Sequence, residues 1–157
     1  MKPAISTVCS LHASLESILE DYAAGQCRSV ELWLGHAEQY LDGRPPEVLT
    51  ELFSKYCCEP IAATFQGGLL TSQGDARREH WSHFESRLAL CSAVSIPTLV
   101  LAGDVHGPLA PEDLGQLSAS LVEAAKRAAD AGVRLAFEFD ARATFPNNLQ
   151  SAGALID

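Results

Sequence analysis

Five short apolar runs, each followed by a segment of helical period, limit what this chain can fold into. The runs are AISTVC (4–9), SVELWL (29–34), PIAATF (60–65), TLVLAG (98–103) and VRLAFEF (133–139). They are rich in β-branched, aromatic and small apolar residues and alternate only weakly, as strands buried on both faces do. Between them, Leu15, Ile18, Leu19 and Tyr22 share one helical face, with Ser14 placed to cap the start and Gly25 to end the turn. Val48, Leu49, Leu52, Phe53 and Tyr56 repeat the spacing over 46–57, and Trp81, Phe84, Leu88 and Cys91 over 73–94. Leu114, Leu117, Leu121, Ala125 and Ala128 do so over 111–131, where Pro111 suits a first turn and Glu112 and Asp113 suit the positive helix end. A last helix opens in NNLQSAGALID, with Asn147 as its cap and Gln150 three residues on.

This β-α alternation implies parallel strands joined by right-handed crossovers. Two single-domain architectures over 1–157 satisfy it. One is an open five-stranded flavodoxin-like sheet; the other is the first five units of a (β/α)8 barrel. An open nucleotide-binding sheet should follow its first strand with a glycine-rich phosphate loop, but SLHASLES has no glycine, and neither GxGxxG nor GxxxxGK[ST] occurs. A barrel instead gathers polar groups at the ends of many strands, because its βα loops build one working face. Every strand end here is polar: His12 after the first, Glu31 and His36 at the second, FQGG (65–68) after the third, GDVHG (103–107) after the fourth, EFDAR (138–142) at the fifth. The barrel is the better reading.

With 11 basic against 20 acidic residues the formal net charge is −9, a field that opposes nucleic acid and anionic membrane surfaces. The five cysteines are odd in number and lack any CxxC spacing, which argues against a disulfide framework or zinc ribbon and for a reduced, cytoplasmic setting. The opening MKPAISTVCSLHASLE does not read as a signal peptide, and no apolar run approaches a membrane span.

The order SVELWL, IAATFQGGLL, IPTLVLAGD, LAFEFDARATFPNNLQSAGALI resembles the xylose-isomerase-like barrels, the superfamily of sugar-phosphate isomerases and epimerases. The resemblance runs the length of the chain, and AGVRLAFEF is its most specific part. It implies a divalent-metal enzyme (Mn²⁺, Mg²⁺, Co²⁺ or Zn²⁺) that moves a proton next to the carbonyl of a sugar, sugar phosphate or keto-polyol. It also implies that Glu138, at the end of the fifth strand, is the first metal ligand and a catalytic residue. Asp, His and Glu ligands then belong to strands six to eight, so the natural protein is expected to continue for on the order of 100 residues, a closed barrel taking about 250. Related alternatives are a dehydratase of a cyclic keto-polyol or keto-acid, an endonuclease-IV-like repair nuclease, and an inert truncated barrel that packs or dimerises through its open edges. The nuclease needs several histidine ligands from early strands and a basic surface, whereas ATFQGG holds no histidine and the chain is strongly acidic.

Individual residues carry competing readings. Glu138 follows Leu135, Ala136 and Phe137, where a carboxylate needs a metal or a cationic partner. Asp140 stands where some relatives have an acid-base histidine, and reads better as a solvated loop residue. Arg142 either holds a substrate phosphate or carboxylate, or neutralises Asp140. Asp104 and His106, among glycines that let a ligand approach the backbone, and Gln66 in FQGG are the remaining substrate-binding candidates. Glu31 faces either the barrel mouth or a structural ion pair, with the second preferred. His80 and His83 are three residues apart on a charge-dense helix and read as a solvated outer face.

Overall fold

A computed structural model describes residues 3–156, the side chain of Glu112 excepted. Its elements are β1 (Ile5–Ser6), a 3-10 turn (Thr7–Ser10), α1 (Leu15–Ala24), β2 (Ser29–Trp33), α2 (Leu34–Leu41), α3 (Glu47–Lys55), β3 (Glu59–Gln66), α4 (Gly74–Ala93), β4 (Thr98–Gly103), α5 (Pro111–Asp130), β5 (Arg134–Phe139) and α6 (Leu149–Ile156). All neighbouring strands pair in parallel, and the sheet order is β1-β2-β3-β4-β5. A flavodoxin-like sheet reverses direction at a switch point. This one never does, which removes the open-sheet alternative. An order that only advances, with right-handed crossovers, keeps every helix on one face and leaves the other face concave.

The helix-side core follows from strand alternation. Val30, Leu32, Ala63, Leu99 and Leu101 pack on Leu15, Leu19, Leu49, Phe53, Phe84 and Leu88, all nearly solvent-free. Each such large side chain contributes roughly 1.5–3 kcal/mol of burial. The intervening residues, among them Glu31, Val100, Ala102, Ala136 and Glu138, face the concave side.

Several local expectations change. The first strand is two residues long rather than 4–9, because Thr7 Oγ1 accepts the Trp33 amide (2.8 Å) and Ser6 Oγ accepts that of Val8. Side-chain oxygens there replace the ladder partners that would have prolonged the strand. Leu34, expected to end a strand, instead begins α2, whose buried Leu34 and Ala37 lie at helical spacing. In α5 the inward face runs through Leu117, Ser120, Ala124 and Ala128, while Leu114 is 43% exposed. The register turns because Arg77 of α4 donates to Ser120 Oγ. The cap of α6 is Asn148 rather than Asn147, its Oδ1 accepting the Ser151 amide at 2.9 Å. Ser14 does cap α1, through the Ser17 amide, and Gly25 does end it.

Candidate active-site cleft at the ends of β3, β4 and β5

The concave side deepens into a cleft of about 670 Å³ at the carboxyl ends of β3, β4 and β5. Its floor is small, with Ala102 and Gly103 beside Glu138 and Phe139 in the β4–β5 register. Glu138 is exposed to this space, and no cation pairs with it among the described residues. An apolar strand therefore delivers a free carboxylate to the cleft, and the salt-bridge reading is not met.

Gln66 does not reach the cleft. Strict alternation from Ala63 would put Phe65 against the helices and Gln66 on the concave face, but the β3–β4 register shifts between Ala63 and Gln66. Such an irregularity exchanges the two faces. Gln66 is 2% exposed, its Oε1 accepts from Arg87 Nη1 (3.3 Å), and its amide donates to the Gly67 carbonyl (2.7 Å). Phe65, 45% exposed, lines the cleft in its place. Arg87 also donates to the Phe65 carbonyl and forks onto both carboxylate oxygens of Glu38 in α2, at 2.7 and 3.1 Å. It thus anchors the end of β3 to two helices.

Asp104 lines the cleft, but its Oδ2 accepts the Gly68 amide at 2.7 Å. A Cβ on Gly67 would lie 2.6 Å from that same oxygen, and Gly68 has φ +78° with His80 packed over it. Two glycines are needed for this approach of the β3 loop to the β4 loop. His80, expected in solvent, is half-buried, its Nδ1 3.0 Å from the Gly68 carbonyl; His83 is exposed and meets Glu38. The β4 loop is joined in turn to the β5 loop by an antiparallel bridge between Val105 and Phe145 and by the Gly107 amide donating to Thr144 Oγ1. His106 stands exposed at the rim.

Asp140 accepts both the amide (2.9 Å) and Nε (3.3 Å) of Arg142, which hold its carboxyl below the usual range. Of the two readings of Arg142, the structure shows the neutralising contact. The guanidinium is nevertheless 89% exposed on the cleft wall and keeps donors to spare. Glu31 has no ion pair among the described residues, and His36 is buried in the first turn of α2, just past the end of β2, its Nε2 3.3 Å from the Leu11 carbonyl. Sequence reasoning missed Phe65 and Phe139, the aromatic walls, and Arg87, whose partners lie too far along the chain to be seen in its neighbourhood.

A divalent metal, implied by the family resemblance, would meet at this cleft the carboxylate of Glu138, which has no ion pair among the described residues. Among the described residues no group of three His, Cys, Asp or Glu converges on a point. The described strand ends thus offer a ligand rather than a closed metal site.

No family model and no curated protein matches the chain. Solved structures do. A xylose isomerase-like TIM barrel/4-hydroxyphenylpyruvate dioxygenase fusion protein superposes with a TM-score of 0.85 at 19% identity, over 99% of this chain and 24% of its own. The IolI protein with a binding zinc atom gives 0.78 at 20%, over 88% of this chain and 51% of that one. A D-psicose 3-epimerase solved in the presence of D-fructose gives 0.68 at 17%, over 86% and 51%. The fold is therefore that of the xylose-isomerase-like TIM barrels, of which the chain holds five consecutive βα units. It spans about half the length of the zinc-binding and epimerase barrels.

Proposed function

We propose that these five units belong to a divalent-metal-dependent isomerase or epimerase acting on a sugar, sugar phosphate or keto-polyol by proton transfer next to a carbonyl. The observation that carries the reading is Glu138: a carboxylate with no cationic partner among the described residues, exposed at the end of β5, in a cleft with room to admit a small polyol. The similarity to a zinc-binding barrel and a ketose epimerase supports it. A bound metal, held by Glu138 and by ligands from later strands, would polarise the substrate carbonyl and lower the barrier to losing the neighbouring proton. The chain's own contribution is shape and charge. Phe65 and Phe139 offer apolar walls to the C–H face of a sugar. Ala102 and Gly103 keep the floor open, and His106 and Arg142 present donors at the rim, where an anionic or hydroxylated end of the substrate would lie.

The test uses a barrel completed to eight units, by a natural continuation or by fusion to the last three units of a solved neighbour. Incubated in D₂O with Mn²⁺, Co²⁺, Mg²⁺ or Zn²⁺ and a panel of ketoses and keto-polyols, it should incorporate deuterium at the carbon beside the carbonyl, seen by NMR. Loss of water to an unsaturated ketone would move the assignment to a dehydratase. Absence of exchange with every metal, or cleavage of an abasic DNA duplex, would contradict the proposal.

A further inference from the structure

A second cavity, of about 730 Å³, opens between the β1–α1 loop and α2 and shares no lining residue with the Glu138 cleft. Two neighbouring units whose strands pair directly, β1 with β2, build it. His12 and Ser14 come from the loop before α1, His36, Gln39 and Tyr40 from α2, and Arg44 from the turn after it. His36 is 2% exposed, and its Nε2 lies 3.3 Å from the Leu11 carbonyl. A carbonyl only accepts, so Nε2 carries a proton and donates it. Nδ1, also buried, has no partner among the described residues. It is an unmet acceptor in the neutral ring and an unmet donor in the cation, and either state costs about 1–3 kcal/mol. Trp33 packs edge-on against the ring, centroids 4.8 Å apart, and holds it in place.

The start of α1 adds donors to the same wall. Ser14 Oγ accepts the Ser17 amide and the Ser14 carbonyl that of Ile18, which leaves the Leu15 and Glu16 amides without a partner inside the helix. Ser14 and Leu15 line the cavity, so the positive helix end opens on it. The Glu16 carboxylate is drawn off to Lys55, at 2.7 Å. Arg44 is held in position: Nε donates to the Leu41 carbonyl at 3.1 Å, Nη2 donates to that of Tyr40, and the guanidinium lies 4.5 Å from the Tyr40 ring centroid. Its Nη1 makes no hydrogen bond among the described residues. Asp42 is the acidic residue of the wall, one carboxylate against a guanidinium and a helix end.

We propose that this cavity binds a phosphate group, free or as a phosphate monoester. Arg44, His12 and the α1 N-terminus donate to its oxygens. His36 Nδ1 accepts from a protonated phosphate oxygen or, once protonated, donates to a bare one. Donors arriving from three elements suit the several oxygens of a phosphate better than the two of a carboxylate. The net charge of −9 does not oppose this, because donors act at contact while the wider field is screened within about 8 Å at physiological salt.

The site stands on the first two units, so the inference does not depend on the sugar-enzyme reading, and its test uses no activity. The chain carrying ¹⁵N-labelled histidine is titrated at constant ionic strength with inorganic phosphate and, separately, with glucose 6-phosphate, and its imidazole nitrogens are followed by NMR. The His36 Nδ1 resonance should shift and saturate with either probe and ignore glucose. Tighter binding of glucose 6-phosphate would make the ligand a phosphate monoester; equal or tighter binding of inorganic phosphate would make it free phosphate. Arg44→Met should weaken binding by roughly ten-fold or more, as expected for a lost charged hydrogen bond. His36→Gln, which keeps a donor for the Leu11 carbonyl and removes Nδ1, should weaken it too, with circular dichroism showing whether the variant folds. If it does not, the His36 resonance and Arg44→Met decide. Arg142→Ala, in the other cleft, should bind phosphate as the parent does. A His36 resonance that does not saturate would overturn the proposal. So would Arg44→Met or a folded His36→Gln as tight as the parent, loss of binding in Arg142→Ala, or a response to glucose equal to that to its phosphate.

Discussion

Asp104 joins two loops through one short hydrogen bond to the Gly68 amide, and the cleft wall depends on it. Asp104→Ala leaves that half-buried N–H unsatisfied and should lower stability by about 1–3 kcal/mol in urea unfolding at fixed protein concentration. Asp104→Asn keeps a carbonyl acceptor and should lose less. Titration acts at residues beyond the cleft as well. Burial alone would raise the carboxyl of Glu38, but its bonds to Arg87 and His83 outweigh that and hold it below its ordinary 4.5. The Asp140 carboxyl is held below 3.8 by the amide and then the guanidinium of Arg142. A carboxyl lowered on folding adds stability that is complete above its unfolded value and disappears as pH falls through its folded one. Urea midpoints should therefore hold from pH 7 to about 5 and fall below about 4. Glu38→Gln should flatten part of that fall.

Among the elements, the end of β3 rests on Arg87, which bonds to Glu38, the Phe65 carbonyl and Gln66. Arg87→Met should destabilise by about 1.5–3 kcal/mol, the range for hydrogen bonds to a charged group. His83→Ala, losing an exposed contact to the same Glu38, should change stability by about 0.5 kcal/mol or less. How far the sequence spoke differs from element to element for physical reasons. The stripe of α4 and the ends of α1 were legible because a long amphipathic period and Ser and Gly caps are local signals. The shortness of β1 was not, since the Thr7 hydroxyl takes a partner from β2 that no local pattern announces. Nor was the start of α2, because no turn residue separates Trp33 from Leu34. Glu138 was legible as a cleft residue because β5 alternates without interruption up to it. Gln66 was misplaced because the register shift before it carries no mark in PIAATFQGG.

At the scale of the molecule, the five parallel units bring Asp104, Glu138 and Asp140 to the cleft, and no group of three possible metal ligands converges among the described residues. The 157-residue chain by itself should therefore catalyse no proton exchange with added metal, and should bind Mn²⁺ no more tightly than its Glu138→Gln variant. The net charge of −9 offers little scope for the counterion release that drives duplex binding. Abasic DNA should remain uncut at near-physiological salt. No helix among the described residues is long and apolar enough to cross a membrane. On the proposed function, β5 presents Glu138 as the first ligand of a metal that a whole barrel completes. Its most direct test is an EPR-monitored Mn²⁺ titration of the eight-unit barrel with Glu138 and with Gln at that position. One tight site is expected in the parent and its loss in the Gln variant, with the fold unchanged by circular dichroism. Equal stoichiometry and affinity in the two proteins would contradict it.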